Sequence, residues 1–241
     1  MSRRLFIGDV HGHYTGLMRL LELIDPLPDD NIYFVGDLID RGPESAQVVD
    51  FVIKAGHTCL LGNHEDLMLK ALCGAASDSV CQRWALNGGD ITMENYGDSH
   101  ADLLKPHLLW MQTLPTFLDL GNLFLVHAGV HPEVPLEKQI HKEFFWVRGE
   151  HCYCKERYFP DMIIINGHTP TFNLPGVSVG KIATGPGWLN IDTGACFPES
   201  GWLTGLDFDN KTVYQVHVFD GRQRTLHFKD AIAQIGDQAE A

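Results

Sequence analysis

Regularly spaced cysteines, a surplus of basic residues and long apolar runs are all missing from this chain, and each absence closes a class of function. The six cysteines fall at irregular intervals, so neither a disulfide framework nor a thiolate zinc module is indicated. None of Cys59, Cys73, Cys81, Cys152, Cys154 and Cys196 has arginine six positions later, which removes the cradle that a cysteine-based phosphatase needs. No glycine-rich loop ends in Lys-Ser or Lys-Thr, so phosphoryl transfer on a P-loop is unsupported. With 18 Lys and Arg against 31 Asp and Glu, the formal net charge is −13, and a nucleic-acid or anionic-membrane surface is disfavoured. No apolar stretch approaches membrane-spanning length, and Leu5-Phe6-Ile7 is stopped by Gly8-Asp9 too early for a secretory leader. The expectation is a cytoplasmic protein without a nucleic-acid or membrane partner.

What is present suffices for one large domain over residues 1–241, with 44% hydrophobic residues and many turns marked by 24 glycines and 12 prolines. Leu5-Phe6-Ile7 reads as a strand, and Leu17, Leu20, Leu21 and Ile24 lie on one face of a helix that Pro26 ends. Residues 32–35 form a second strand, Pro43 suits the start of a helix carrying Val48, Val49, Val52 and Ile53, and Cys59-Leu60-Leu61 is a third strand. Three strand–loop–helix units give βαβαβ organisation. Residues 66–113 are helical in character, with Leu67, Leu72 and Trp84 as core candidates and Pro106 as a break or start. Gly121-Asn122 joins a hairpin, residues 131–160 read as a surface excursion or lid, and strands follow at 162–165, 188–192, 202–208 and 212–218. The change from βα units to consecutive strands implies a mixed sheet or two packed sheets. The polar tail 229–241 is expected to fray.

Polar clusters follow five of these strands: Asp9-Val10-His11, Asp37 to Arg41, Asn63-His64-Glu65, His127 and His168. Carboxylate, imidazole and amide together suit Mn²⁺, Fe or Zn²⁺. Asp9 and His11 are alternate residues of an extended segment, so both can reach one ion. A Gly-Asp is usually a turn, and a lone histidine after a strand is usually a hydrogen-bonded core group. Five such clusters in order, each at a strand end, are not explained by either. His151-Cys152-Tyr153-Cys154 lacks further ligands nearby and reads as loop thiols, and His13, His57 and His131 read as surface or turn residues.

Gly8-Asp9-Val10-His11-Gly12, Gly36-Asp37-Leu38-Ile39-Asp40-Arg41-Gly42, Gly62-Asn63-His64-Glu65, His127-Ala128-Gly129 and Gly167-His168 resemble the signature blocks of the calcineurin-like metallophosphoesterases, phosphoprotein phosphatase branch. The resemblance runs over residues 4–208, and Trp84-Ala85-Leu86-Asn87-Gly88-Gly89 is similar to the small bacterial and phage members. It implies an α/β fold in which two mixed sheets form a sandwich flanked by helices. It also implies two divalent ions, Mn²⁺ before Fe or Zn²⁺, with Asp9, His11 and Asp37 on the first and Asp37, Asn63, His127 and His168 on the second. A carboxylate bridging ions roughly 3.5–4 Å apart would acidify a shared water for in-line attack at phosphorus. His64 would protonate the leaving oxygen, held by Asp40, while Arg41, Arg148 and Asn63 would contact phosphate. His-Ala-Gly stands where many members have His-Gly-Gly, and the short interval between His127 and His168 gives no basis for transferring the protein-binding grooves of larger members. The implied substrate is a phosphoserine, phosphothreonine or phosphotyrosine protein; the alternative is a dinucleoside polyphosphate such as diadenosine tetraphosphate. Glu65 favours the first, since the symmetrical tetraphosphatases tend to have Asp there. A non-catalytic regulatory protein of the same fold would show a broken ligand set, and this set is complete.

Overall fold

A computed structural model describes residues 2–74 and 77–236. Its order begins β1 (Arg4–Ile7), α1 (Tyr14–Ile24), β2 (Asn31–Phe34), α2 (Ser45–Ala55), β3 (Thr58–Cys59) and α3 (Asn63–Cys73). Next come α4 (Asp78–Trp84), a π-turn (Ala85–Gly89), α5 (Asp90–Met111), β4 (Phe117–Asp119) and β5 (Leu123–Val126). The lid segment holds α6 (His141–Trp146) and α7 (Gly149–Cys152) before β6 (Ile163–Asn166), β7 (Ile182–Gly185) and β8 (Trp188–Asn190). The chain ends with β9 (Trp202–Asp207), β10 (Thr212–His217), β11 (Gln223–His227), α8 (Phe228–Ala231) and β12 (Ile232–Gln234).

Two mixed six-stranded sheets result, ordered β11-β10-β9-β1-β2-β3 and β12-β7-β8-β6-β5-β4. Alternation along each strand divides the apolar residues between two layers. Phe6, Leu125 and Ile165 enter the core between the sheets. Leu5 and Ile7 face the opposite way, under Leu17, Leu20, Val48, Val49 and Val52 of α1 and α2. On the outer side of the second sheet, Phe124, Val126 and Ile164 meet Phe144 and Phe145 of α6. Burial on both faces explains why these strands read as apolar runs rather than alternating patterns. The parallel pairs β1–β2 and β2–β3 in one sheet, and β5–β6 and β6–β8 in the other, turn six carboxyl ends toward one region.

Several expectations shift. Pro43 lies ahead of α2, whose cap is Glu44, so its ring shapes the turn after Arg41 rather than the first helical turn. Helix α5 departs from helical geometry at Gly97 and His100, upstream of Pro106. Leu72 is 40% exposed instead of core, because α3 turns that face away from the sheet. The segment 131–160 carries two short helices and buries Phe144, Phe145 and Cys152; it is packed onto the core, not an open excursion. The expected frayed tail is also corrected over 229–236: Ala231 is buried, and β12 pairs in parallel with β7. Residues 237–241 lie outside the described residues. Among the described residues no helix is long and apolar enough to cross a membrane.

Candidate metal centre

Short buried strands deliver their following residues to a common edge, and the backbone there is held in unfavourable conformations. Among the described residues seven non-glycine positions have positive φ, and five of them are His11, Asp37, Asp40, Arg41 and His168. Left-handed backbone of this kind costs about 1–3 kcal/mol per residue and persists where surrounding structure enforces it. Glu65 supplies much of that enforcement: its buried carboxylate accepts hydrogen bonds from the N–H groups of Asp37 (3.0 Å), Leu38 (2.7 Å), Ile39 (3.3 Å) and Gly62 (3.0 Å). Burial, then the Asp37 charge, pushes its pKa up to about 7 against those donors. The side chain faces backbone, so Glu65 has no means of reading a substrate, and its use as a substrate discriminator falls.

Asp37 is the shared residue. Ligand-capable atoms of His11, Asp37 and His64 lie within 4.8 Å of one another, and so do those of Asp37, His127 and His168. Burial would raise the Asp37 pKa, but His127, His64, His11 and His168 hold it well below the usual carboxylate range. Asn63 joins the second group, with Oδ1 2.9 Å from His127 Nε2 and 2.7 Å from His168 Nδ1. Asp9 belongs to neither group; its Oδ2 accepts the His168 N–H at 3.0 Å. Arg41 spans the first group, with Nη1 3.2 Å from His11 Nε2 and Nη2 3.1 Å from His64 Nε2. Arg148, exposed at the rim, donates to the His168 carbonyl and to Thr169 Oγ1, each at 3.3 Å.

These residues fit divalent cations. Asp9 Oδ1 and His168 Nε2 are buried without a hydrogen-bond partner, an arrangement that normally signals a missing one. His11 Nδ1 lies 2.9 Å from the Ile39 carbonyl and His127 Nδ1 2.9 Å from the Val35 carbonyl. Donation there fixes the tautomer and turns the Nε2 lone pair inward, as ligating histidines require. Burial first, and nearby cationic groups second, lower the His11 and His168 pKa values and keep both rings neutral. Burial and neighbouring carboxylates raise Asp9, an electrostatic load that bound cations relieve.

The His64 ring is held on its other side. Asp40 Oδ2 lies 2.6 Å from Nδ1, while Asp40 is itself fixed by Trp84 Nε1 at 3.1 Å and Thr92 Oγ1 at 2.7 Å. Burial opposes the imidazolium, but the Asp37 charge and the Asp40 hydrogen bond prevail and raise the His64 pKa. Trp84 was expected in the core; it is buried, and it also orients Asp40.

Asp192 was missed. It is 4% exposed, follows β8, and its pKa is pushed up to about 6, chiefly by burial, with Asp37 adding to the rise. The signal was available, since Ile191-Asp192-Thr193-Gly194 is another carboxylate at a strand end. Cys196 Sγ lies 3.3 Å from Arg41 Nη1, and burial raises its thiol to about 12, so it meets the guanidinium as a neutral group. His151 and Cys152 are buried, and the ligand groupings among the described residues do not include them. A cavity of about 710 Å³ bordered by Val134, Arg157, Tyr158 and Phe159 contains none of the candidate ligands.

The sequence pattern of the calcineurin-like phosphoesterases matches residues 2–181. A symmetrical bis(5'-nucleosyl)-tetraphosphatase of Methylococcus capsulatus is 35% identical over 135 residues, 52% of this chain and 42% of that protein. Serine/threonine-protein phosphatase 1 of Salmonella typhimurium is 34% identical over 135 residues, 54% of this chain and 58% of that one. The chain thus matches about half the length of these relatives. At the level of fold alone, it is similar to a crystal structure of a candidate diadenosine tetraphosphatase, at 19% identity and a TM-score of 0.66 over 91% of this chain and 95% of that one. A protein serine/threonine phosphatase from Saccharomyces cerevisiae superimposes with a TM-score of 0.60 at 16% identity, covering 94% of this chain and 80% of that chain.

Proposed function

The chain belongs to the calcineurin-like phosphoesterase family, and on that premise we propose that it hydrolyses a dinucleoside polyphosphate of the diadenosine tetraphosphate type at a centre of two divalent cations. The observation that carries the centre is the sharing of Asp37 between two sets of inward-facing imidazoles. Asp9, His11 and Asp37 would hold one cation, and Asp37, Asn63, His127 and His168 the other; Mn²⁺ suits this oxygen and nitrogen set. Bound there, such cations acidify water and neutralise charge developing on phosphate oxygens. Arg41 and Arg148 bring fork-shaped donors to the phosphate, with Asn63 at its edge. Asp40 accepts from His64 Nδ1–H and favours the doubly protonated ring, whose Nε2–H is the proton available to the leaving oxygen.

The substrate reading draws on relatives named as symmetrical tetraphosphatases at 35–38% identity. The second reading, a serine/threonine protein phosphatase, draws on the Salmonella relative, where the match covers the larger share of the partner sequence, 58%. A panel with added Mn²⁺ decides between them: diadenosine tetraphosphate beside phosphoserine, phosphothreonine and phosphotyrosine peptides. The expected result is a higher kcat/KM for the dinucleotide. A higher value for a phosphopeptide would replace this reading with the second.

A further inference from the structure

Beside the metal centre, α3, α4 and α6 enclose a cavity of about 330 Å³ whose charge is opposite to that of the molecule. Lys70, Arg83 and Lys142 line it against one carboxylate, Asp66, in a chain of net charge −13. Asp66 is already engaged, its Oδ2 lying 2.6 Å from Lys70 Nζ. Arg83 and Lys142 form no ion pair among the described residues; the Arg83 guanidinium instead lies 4.2 Å over the Trp146 ring, which leaves its N–H edge free to meet an anion.

Each wall is an extension of the centre. Asn63, Asp66 and Lys70 follow one another at helical spacing along α3, so the cavity lies below the Asn63 amide on the same face. Lys70 is seven residues on, about 10 Å along the axis. Arg83 precedes Trp84, whose indole N–H holds Asp40. Trp146 meets the His168 ring edge-on at 5.9 Å. Asn63, Trp84 and Trp146 thus connect the walls of the cavity to residues of the centre.

We propose that this cavity is an anion subsite for the distal phosphates of a polyphosphate substrate, the part released as a nucleoside diphosphate. The inference rests on the phosphoesterase reading above and deepens it. Addition of one water between the central phosphates of a dinucleoside tetraphosphate gives two nucleoside diphosphates, so one product straddles Trp146 while the other occupies the centre. Cations from three separate elements around a cavity of this size suit a compact polyanion better than a protein surface. Arg83, Lys142 and Lys70 select for charge beyond the first phosphate, a task that Arg41 and Arg148 at the centre do not perform.

The test uses the full chain with Mn²⁺ and an Arg83→Gln, Lys142→Gln double variant, both positions being exposed and clear of the centre. Hydrolysis of p-nitrophenyl phosphate is followed with ADP or inorganic phosphate as competitor. The expected result is that the ADP inhibition constant rises about tenfold and loses salt dependence, while that of phosphate and both kinetic constants stay within about twofold. Equal weakening of ADP and phosphate, or an unchanged ADP constant, would overturn the subsite. So would a loss confined to an acidic phosphopeptide competitor. If diadenosine tetraphosphate is not turned over but the ADP constant still responds, the subsite stands and the substrate reading above fails instead.

Discussion

Asp37 combines a φ of 50° with almost complete burial and four imidazoles around its carboxylate. The proposed role of shared cation ligand accounts for burying a carboxylate among four imidazoles. The neighbouring roles separate by geometry: Glu65 holds the loop backbone, Asp40 holds His64, and Arg41 reaches across to both His11 and His64. His64→Gln is expected to retain metal and to lose about 10²–10⁴-fold in rate. The loss falls more heavily on alkyl than on aryl phosphates, because a poor leaving group needs the proton more. Steady-state rates on an alkyl and an aryl ester check this, and equal losses would remove His64 from the acid role.

Among the elements, the π-turn 85–89 is the one that ties helical packing to Arg41, the proposed phosphate contact. Gly88 has φ of 101°, and a Cβ there would lie 2.6 Å from the Arg41 backbone nitrogen. Gly88→Ala therefore strains the backbone by about 1–3 kcal/mol and displaces Arg41. A raised KM with metal content unchanged is the expected outcome, read from steady-state kinetics and metal analysis; unchanged kinetics would contradict the contact. The elements that sequence reading placed, from β1 to α2 and the 121–122 hairpin, are those whose apolar pattern is local. The elements it passed over depend on distant partners. β7 and β12 are short and pair with each other across about fifty residues of chain, and Ile232-Ala233-Gln234 carries no signal apart from that pairing. Within the site, the five clusters were legible because each ends an apolar run. Asp192 obeys the same rule but was included in the strand expected over 188–192, which ends at Asn190, and the contacts of Trp84 and Thr92 to Asp40 cross more than forty residues and leave no local trace.

Over the whole molecule, the two sheets meet so that each sends three strand ends to the centre: Asp9, Asp37 and Asn63 from one, His127, His168 and Asp192 from the other. At the edge far from the centre, an ion pair ties the starts of β1 and β2 within the first sheet. Asp30 accepts from Arg3 Nη2 at 2.6 Å and from the N–H groups of Arg3 and Leu27. The Arg3 hydrogen bond, set against partial desolvation, lowers its pKa to about 2. The depressed value means that its stabilisation is complete above the unfolded-state pKa, about 3.9, and is lost as pH falls toward 2. Asp30→Asn should lower stability by about 1 kcal/mol at pH 7 and by almost nothing at pH 2. Urea unfolding of both proteins across that range measures it, and a pH-independent difference would contradict the assignment.

The central claim, that one carboxylate unites two cations, is tested most directly by counting Mn²⁺ bound per chain in the wild type and in Asp37→Asn, with turnover measured on the same samples. The account predicts two ions in the wild type, weakened occupancy in a folded variant, and a loss of turnover of roughly 10² or more. Two tightly held ions and near-normal turnover in Asp37→Asn would contradict it.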